Sequence, residues 1–284
     1  MKVLVTGANG QVGRALLANA PEGWDVRGLT RAELDLTDPA AIRDLIAREQ
    51  PDLLVNPAAY TAVDKAESEE DLARAINADA VAAMAEALGI TRGRLVQVST
   101  DFVFDGTAST PYAPDAPLSP VSAYGRTKAA GEQAAGPDAL IVRTSWVHAA
   151  GGANFVLTML RLMRNREELS VVADQTGSPT WASGLANVIW ALAERGENGI
   201  WHHSDAGEAT WHGFAEAIQE EALALGLLDR AIPIHAIATA DYPTPAARPA
   251  YSVLDCSKTR AALGEAAHWR DNLRHMLAEE NALG

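Results

Sequence analysis

Short apolar runs alternate with longer stretches of helical periodicity through the first half of this chain. Residues 2–6, 24–29, 52–56, 94–99 and 139–144 read as strands. The run at 52–56 is almost unbroken in its apolar character, the pattern of a strand buried on both faces of a parallel sheet. Between the strands, Thr37-Asp38-Pro39 opens a helix reaching about residue 49, and an alanine-rich stretch containing Asn77 runs helically to 88. Ser119-Pro120 predicts the start of the next helix, a serine cap followed by a proline whose missing N–H costs nothing there. This alternation predicts an α/β fold, a Rossmann-type doubly wound parallel sheet with right-handed crossovers. Beyond residue 146 the rhythm changes. Helices are expected at 154–165, 181–195 and 210–225, a strand at 169–173, a loop at 174–180 and a proline-punctuated loop at 238–249 able to lie over a cleft. The expected division is a first domain over 1–146 and a smaller C-terminal α/β domain over 147–284, with the helix at 181–195 free to pack back onto the first.

Chemistry concentrates at the ends of the predicted strands. The first runs into Gly7-Ala8-Asn9-Gly10-Gln11-Val12-Gly13 and then a helix. Glycines in that context permit a tight turn and let backbone approach a pyrophosphate on the helix N-terminus, which marks 1–146 as an NAD(P)-binding domain. An NAD site usually places an acid after the second strand for the ribose 2′-hydroxyl, but here the strand ends in Thr30-Arg31, with Glu33 and Asp35 only later. Arg31 suits a 2′-phosphate, so NADPH is the expected cofactor, with NADH left open; an exposed loop arginine would look the same. Asp35 and Leu36 are expected to border the adenine. Small residues Ala58 and Ala59 after the third strand leave room for a cofactor, and Ser99-Thr100-Asp101 marks the edge of the site after the fourth, although a capped turn favours the same residues. Tyr124 and Lys128 stand four apart on the next helix and share a face. A tyrosine titrates near pH ~10 on its own; a neighbouring cation is expected to favour its charged form and ease proton transfer. Any amphipathic helix can carry that pair, so it gains meaning only from the rest.

Composition narrows the partners. The chain has 284 residues, 48% hydrophobic and 21% charged, enough for a sizeable core. A net charge of −14 speaks against nucleic acid and anionic membranes, so an anionic ligand needs arginines and backbone donors gathered locally. Cys256 stands alone, so no disulfide framework exists and a reducing compartment is expected. No leader and no apolar run near ~18 residues occurs, which predicts a cytoplasmic protein with no membrane partner. The seven histidines include no spaced metal pair, so no metal ligands are assigned.

Several longer segments carry a resemblance: Ser99-Thr100-Asp101-Phe102-Val103-Phe104-Asp105-Gly106, Thr61-Ala62-Val63-Asp64-Lys65, Arg143-Thr144-Ser145-Trp146, Asp174-Gln175-Thr176-Gly177-Ser178-Pro179-Thr180 and Arg248-Pro249-Ala250-Tyr251. With the glycine loop and the Tyr/Lys pair, they resemble the extended short-chain dehydrogenases/reductases and, more narrowly, the dTDP-4-dehydrorhamnose reductase family, over residues 6–255. The glycine loop and the pair mark only the superfamily; the first and fourth segments are much more specific. The resemblance implies an oxidoreductase of dTDP-L-rhamnose synthesis that reduces the C4 keto group of a nucleotide sugar. It assigns Tyr124 as proton donor, Lys128 to the nicotinamide ribose and the developing phenolate, and Thr100 to the keto oxygen. Gly7, Asn9, Gly10, Gln11, Val12, Gly13, Arg31, Asp35, Leu36, Ala58, Ala59, Thr61, Ser99, Tyr124 and Lys128 would hold the cofactor. Thr61, Val63, Asp64, Thr100, Asp101, Trp146, Gln175 and Arg248 would hold the substrate, Arg248 at the diphosphate. Pro57 and Phe102 depart from the family's usual residues without removing a reacting group. A magnesium-bridged dimer, known in the family, finds no support in Glu279-Glu280, and monomer and homodimer stay open. The rival readings are a nucleotide-sugar epimerase or dehydratase and a non-catalytic regulatory subunit. A dehydratase needs an acid after Asp101, where Phe102 stands, and a regulator needs no Tyr124.

Overall fold

The computed structural model describes residues 1–283. Five parallel strands alternate with helices in the first half: β1 (Lys2–Val5), β2 (Asp25–Gly28), β3 (Leu53–Asn56), β4 (Arg94–Thr100) and β5 (Leu140–Thr144), with α1 (Gln11–Ala18) and α2 (Pro39–Glu49) between the first three. The alanine-rich stretch is not one helix. It is α3 (Val63–Ala66), α4 (Glu70–Arg74), a π-helical turn (Ala75–Asp79) and α5 (Ala80–Thr91). A short 3₁₀ turn (Asp101–Val103) precedes the long loop to α6 (Ala123–Ala135). That helix begins later than Ser119-Pro120 predicts: Ser122 is its cap and accepts from the Gly125 N–H at 3.1 Å, while Ser119 N–H is spent on the Val103 carbonyl. The helix starts at Ala123, so Ser122 and not Ser119 stands where a side-chain oxygen reaches the N–H groups of the first turn.

A sixth parallel strand, Gly199–His202, joins the sheet beside β5, giving the order β2-β1-β3-β4-β5 and then this strand. The chain reverses direction across the sheet between β1 and β3, and ligands bind outside the carboxyl ends at such a point. Alternate residues face opposite sides. Val3, Val5, Val55, Val96 and Val142 pack with α1 and with α8 (Ala182–Glu194), whereas Leu4, Leu54, Leu95 and Ile141 pack with α2 and α5. The helix α8 contacts α1, and Trp190 Nε1 donates to the Leu16 carbonyl at 3.1 Å. A separate core is drawn from α7 (Phe155–Asn165), α9 (Trp211–Ala224) and the last helix, Trp269–Leu283. No helix among the described residues is long and apolar enough to cross a membrane.

Candidate active site

A cleft of about 1070 Å³ runs along the carboxyl ends of β1, β3, β4 and β5. At one end lie Gly7, Asn9, Gly10, Gln11, Val12 and Gly13. Gly7 has φ +58°, and a Cβ on Gly13 would stand 2.1 Å from the Gly7 carbonyl oxygen, so the loop folds on itself only without side chains. Gly10 gives α1 no side-chain cap, which leaves its first N–H groups open to a ligand. Arg31, Asp35, Leu36, Ala58, Ala59 and Thr61 line the same stretch. Arg31 is exposed and enters no hydrogen bond or ion pair among the described residues, whereas the Asp35 carboxylate is turned inward on its own loop by Thr37 N–H and Oγ1 at 2.9 and 2.8 Å. The cradle therefore fits a dinucleotide diphosphate with a cation free near its far ribose.

The other end holds Thr100, Asp101, Tyr124, Lys128 and Trp146. Tyr124 is 9% exposed and meets the Phe102 ring edge-on at 5.5 Å. Burial pushes its phenol well above the ordinary tyrosine range; the Thr100 hydroxyl opposes this, and the Asp101 carboxylate adds a lesser upward push. The expected lowering by Lys128 does not prevail, because a buried phenolate loses more solvation than its neighbours return. Lys128 is 4% exposed and donates to the Val98 carbonyl at 2.7 Å. Burial lowers its ammonium to about 8, opposed by Glu132 one turn further along α6.

Glu132 belongs to a buried network that strand and helix patterns do not reveal. It accepts Ser99 Oγ and forms a two-pronged pair with Arg143, 2.8 Å from Nε and 2.7 Å from Nη2. Arg143, 1% exposed, also bonds His202 Nε2 and the Pro114 carbonyl, each at 3.1 Å. Ser99 thus stands in the cleft wall with its hydroxyl already committed away from a cofactor. A second chain, Thr6–Asn56–Gln97, ties β1, β3 and β4 together through side chains just below the cleft. Asn56 and Gln97 were legible as polar residues in apolar strands, the one signal the sequence offered for them.

The substrate set is brought together only in part. Thr61 and Val63 line the cleft, and Trp146 does so in the left-handed region at φ 48°, stacked on Trp211 with ring centres 3.5 Å apart. Trp211 was hidden in the sequence as one apolar position of an amphipathic helix. Arg248 reaches the cleft but is gripped by Asp64, at 3.0 Å from Nη1 and 2.8 Å from Nη2, and gives further bonds to Thr244 and the Ala246 carbonyl. Gln175 is buried outside the lining and donates to Thr239 Oγ1 at 3.0 Å. No group of three or more His, Cys, Asp or Glu is set to hold a metal among the described residues.

The family model described as the RmlD substrate binding domain matches residues 1–282. A dTDP-4-dehydrorhamnose reductase of Burkholderia thailandensis is 45% identical, over 95% of this chain and 96% of its own. A probable dTDP-4,6-dihydroxy-2-methyloxan-3-one 4-ketoreductase of Streptomyces antibioticus is 44% identical, over 96% and 94%. Among solved structures, a Bacillus anthracis dTDP-4-dehydrorhamnose reductase in complex with NADP superposes with a TM-score of 0.92 at 35% identity, covering 98% of this chain and 99% of that one.

Proposed function

This chain belongs to the dTDP-4-dehydrorhamnose reductase family, and from that membership we propose that it reduces the C4 keto group of dTDP-4-dehydro-L-rhamnose, with NADPH, to give dTDP-L-rhamnose. The observation that carries this reading is one cleft holding an uncapped glycine-loop helix and free Arg31 at one end and Thr100, Tyr124 and Lys128 at the other. A nicotinamide bound along it supplies the hydride. Tyr124 gives its proton to the keto oxygen as the alkoxide charge develops. Its burial keeps the phenol protonated until that moment, so the acid is always loaded. Lys128 spends one of its three N–H donors on Val98 and keeps the others for the nicotinamide ribose and the phenolate. Thr100 orients the keto oxygen. Arg31 favours the 2′-phosphate and hence NADPH over NADH.

On the substrate side, Trp146 and Trp211 offer a flat apolar wall, and Thr61, Val63 and Asp101 border the sugar. Asp64 anchors Arg248, which keeps its remaining N–H groups for a diphosphate. Gln175, outside the cleft lining, supports the neighbouring loop through its bond to Thr239 Oγ1. Residues 1–146 chiefly hold the cofactor, and residues 147–284 chiefly the substrate.

A second reading, reduction of another dTDP 4-keto-deoxysugar, is favoured by the 44% identical Streptomyces relative. One assay addresses both: follow NADPH absorbance with the upstream pathway intermediates and identify the sugar formed. Tyr124→Phe is expected to bind NADPH normally and lose about 10²–10⁴-fold in turnover, the usual share of a positioned acid. Near-wild-type oxidation of NADPH by that variant would remove Tyr124 as the acid.

A further inference from the structure

Gln97 is an unexpected residue for its place. It stands in β4 between Val96 and Val98, 2% exposed, where a leucine would serve the sheet and spare the cost of burying an amide. Both ends of that amide are engaged. Asn56 Nδ2 donates to Gln97 Oε1 at 2.8 Å, and Thr6 Oγ1 donates in turn to Asn56 Oδ1. Gln97 Nε2 then donates to the Val98 carbonyl, also at 2.8 Å. No polar side-chain atom of the three is among the buried atoms without a partner. A buried ladder that is complete in itself rigidifies what it touches.

What it touches is the acceptor of Lys128. Arg94 N–H bonds the Asp52 carbonyl on the β3 side at 3.0 Å. Successive strand residues bond to opposite neighbours, so the Val98 carbonyl points to the β3 side as well. There β3 pairs with β4 no further than Asn56 opposite Gln97. Past that end two side chains take the Val98 carbonyl: Gln97 Nε2 and, at 2.7 Å, Lys128 Nζ. A carbonyl oxygen has two lone pairs. With one filled by a fixed amide, the ammonium has a single direction left for its own bond. Lys128 carries its charge on a flexible four-carbon stem, so the aim of its other N–H groups depends on that tether.

We propose that Gln97 is a positioning residue for Lys128: by filling one lone pair of the Val98 carbonyl it fixes the ammonium, so that the free N–H groups meet the nicotinamide ribose and the Tyr124 phenolate. This rests on the reductase reading above. The ladder begins at Thr6, next to Gly7, and Thr6, Val98 and Lys128 all line the cleft. One run of hydrogen bonds thus joins the start of the glycine loop to the lysine.

Gln97→Met keeps the length of the side chain and removes both hydrogen bonds. The test follows single-turnover oxidation of NADPH by the nucleotide keto-sugar in wild type, Gln97→Met, Lys128→Met and the double variant, a cycle that isolates the coupling of the two positions. In the wild-type background Gln97→Met is expected to slow the chemical step by about 10–100-fold, the penalty of a misplaced catalytic group. NADPH affinity, read by fluorescence, should stay within about threefold, because the glycine loop is untouched. In the Lys128→Met background the same substitution should change the rate by less than about twofold, since no ammonium remains to be placed. Equal losses in both backgrounds would mean that Gln97 serves the sheet alone and would overturn the inference. So would an unchanged rate in Gln97→Met. The Met variant leaves Asn56 Nδ2 buried and unpaired; if that unfolds the chain, Thr6→Val/Asn56→Leu/Gln97→Met replaces the whole ladder with apolar groups, a change close to neutral for stability. It enters the same cycle with Lys128→Met and meets the same two expectations. Failure of the wild type to reduce the nucleotide keto-sugar would instead overturn the reductase reading itself.

Discussion

Arg31 and Asp35 lie in the same loop after β2, and their side chains have different fates. Asp35 is held by two bonds from Thr37, so its carboxylate is pulled below the usual range and kept from an incoming ribose. Arg31 is committed to nothing among the described residues. A guanidinium free to take a phosphate fork discriminates through contacts that NADH cannot offer. Arg31→Ala is therefore expected to narrow the ratio of kcat/KM for NADPH over NADH by about 10–100-fold, on the order of 1.5–3 kcal/mol for a charge-assisted bond. Kinetics with both cofactors check this, and an unchanged ratio would show that Arg31 does not read the phosphate. Tyr124 and Lys128 carry the other lesson at this scale. Their i, i+4 spacing was plain in the sequence, but the direction of the phenol's shift was not, because it depends on burial by residues far along the chain.

At the scale of elements, α6 has to hold Tyr124 and Lys128 against the ends of β4 and β5. Ser122 caps it, and Gly131 lets it press onto the π-helical turn, where an added Cβ would stand 2.0 Å from the Asn77 carbonyl oxygen. Backbone cannot swing away as a side chain can. Asn77 in turn bonds Thr127 Oγ1 at 3.0 Å and both backbone groups of Tyr60, so the cofactor-side loop and the catalytic helix share one joint. Gly131→Ala is expected to lower stability by about 1–3 kcal/mol through overpacking and to reduce turnover as the helix shifts. Gly89 in α5 has open space around its Cβ position, so Gly89→Ala should gain about 0.5–1 kcal/mol from helix propensity. Urea melts of both variants decide it; a Gly131→Ala protein as stable as wild type would mean that the joint has slack.

Across the whole molecule, α8 and the strand Gly199–His202 return to complete the first sheet from beyond residue 180. Leu185, Ile189, Trp190 and Trp201 fill the face that Val3, Val55, Val96 and Val142 present. A fragment ending at residue 146 would leave that face to water, losing ~25 cal/mol for each Å² uncovered. It should show no cooperative thermal transition, whereas the intact chain melts in one. A cooperative melt from the fragment, followed by circular dichroism, would show that the first half carries its own core.

How far the chain could be read follows from range. Strands β1, β3 and β4, the glycine loop and the Tyr124–Lys128 face are encoded by neighbours within a few residues, through apolar continuity, absent side chains and the helical repeat, so they were visible before any fold was known. The same holds for the parallel α/β class, since alternation of strand and helix leaves few other solutions. Packing alone decided that Ser122 and not Ser119 caps α6, that Trp211 stacks on Trp146, and that Gln175 stays out of the cleft. It also decided that Arg248 is gripped by Asp64 from 184 positions away and that Asp101 is left with an open oxygen. Hydrogen bonds and desolvation are set by which distant groups meet, and no local pattern records those meetings.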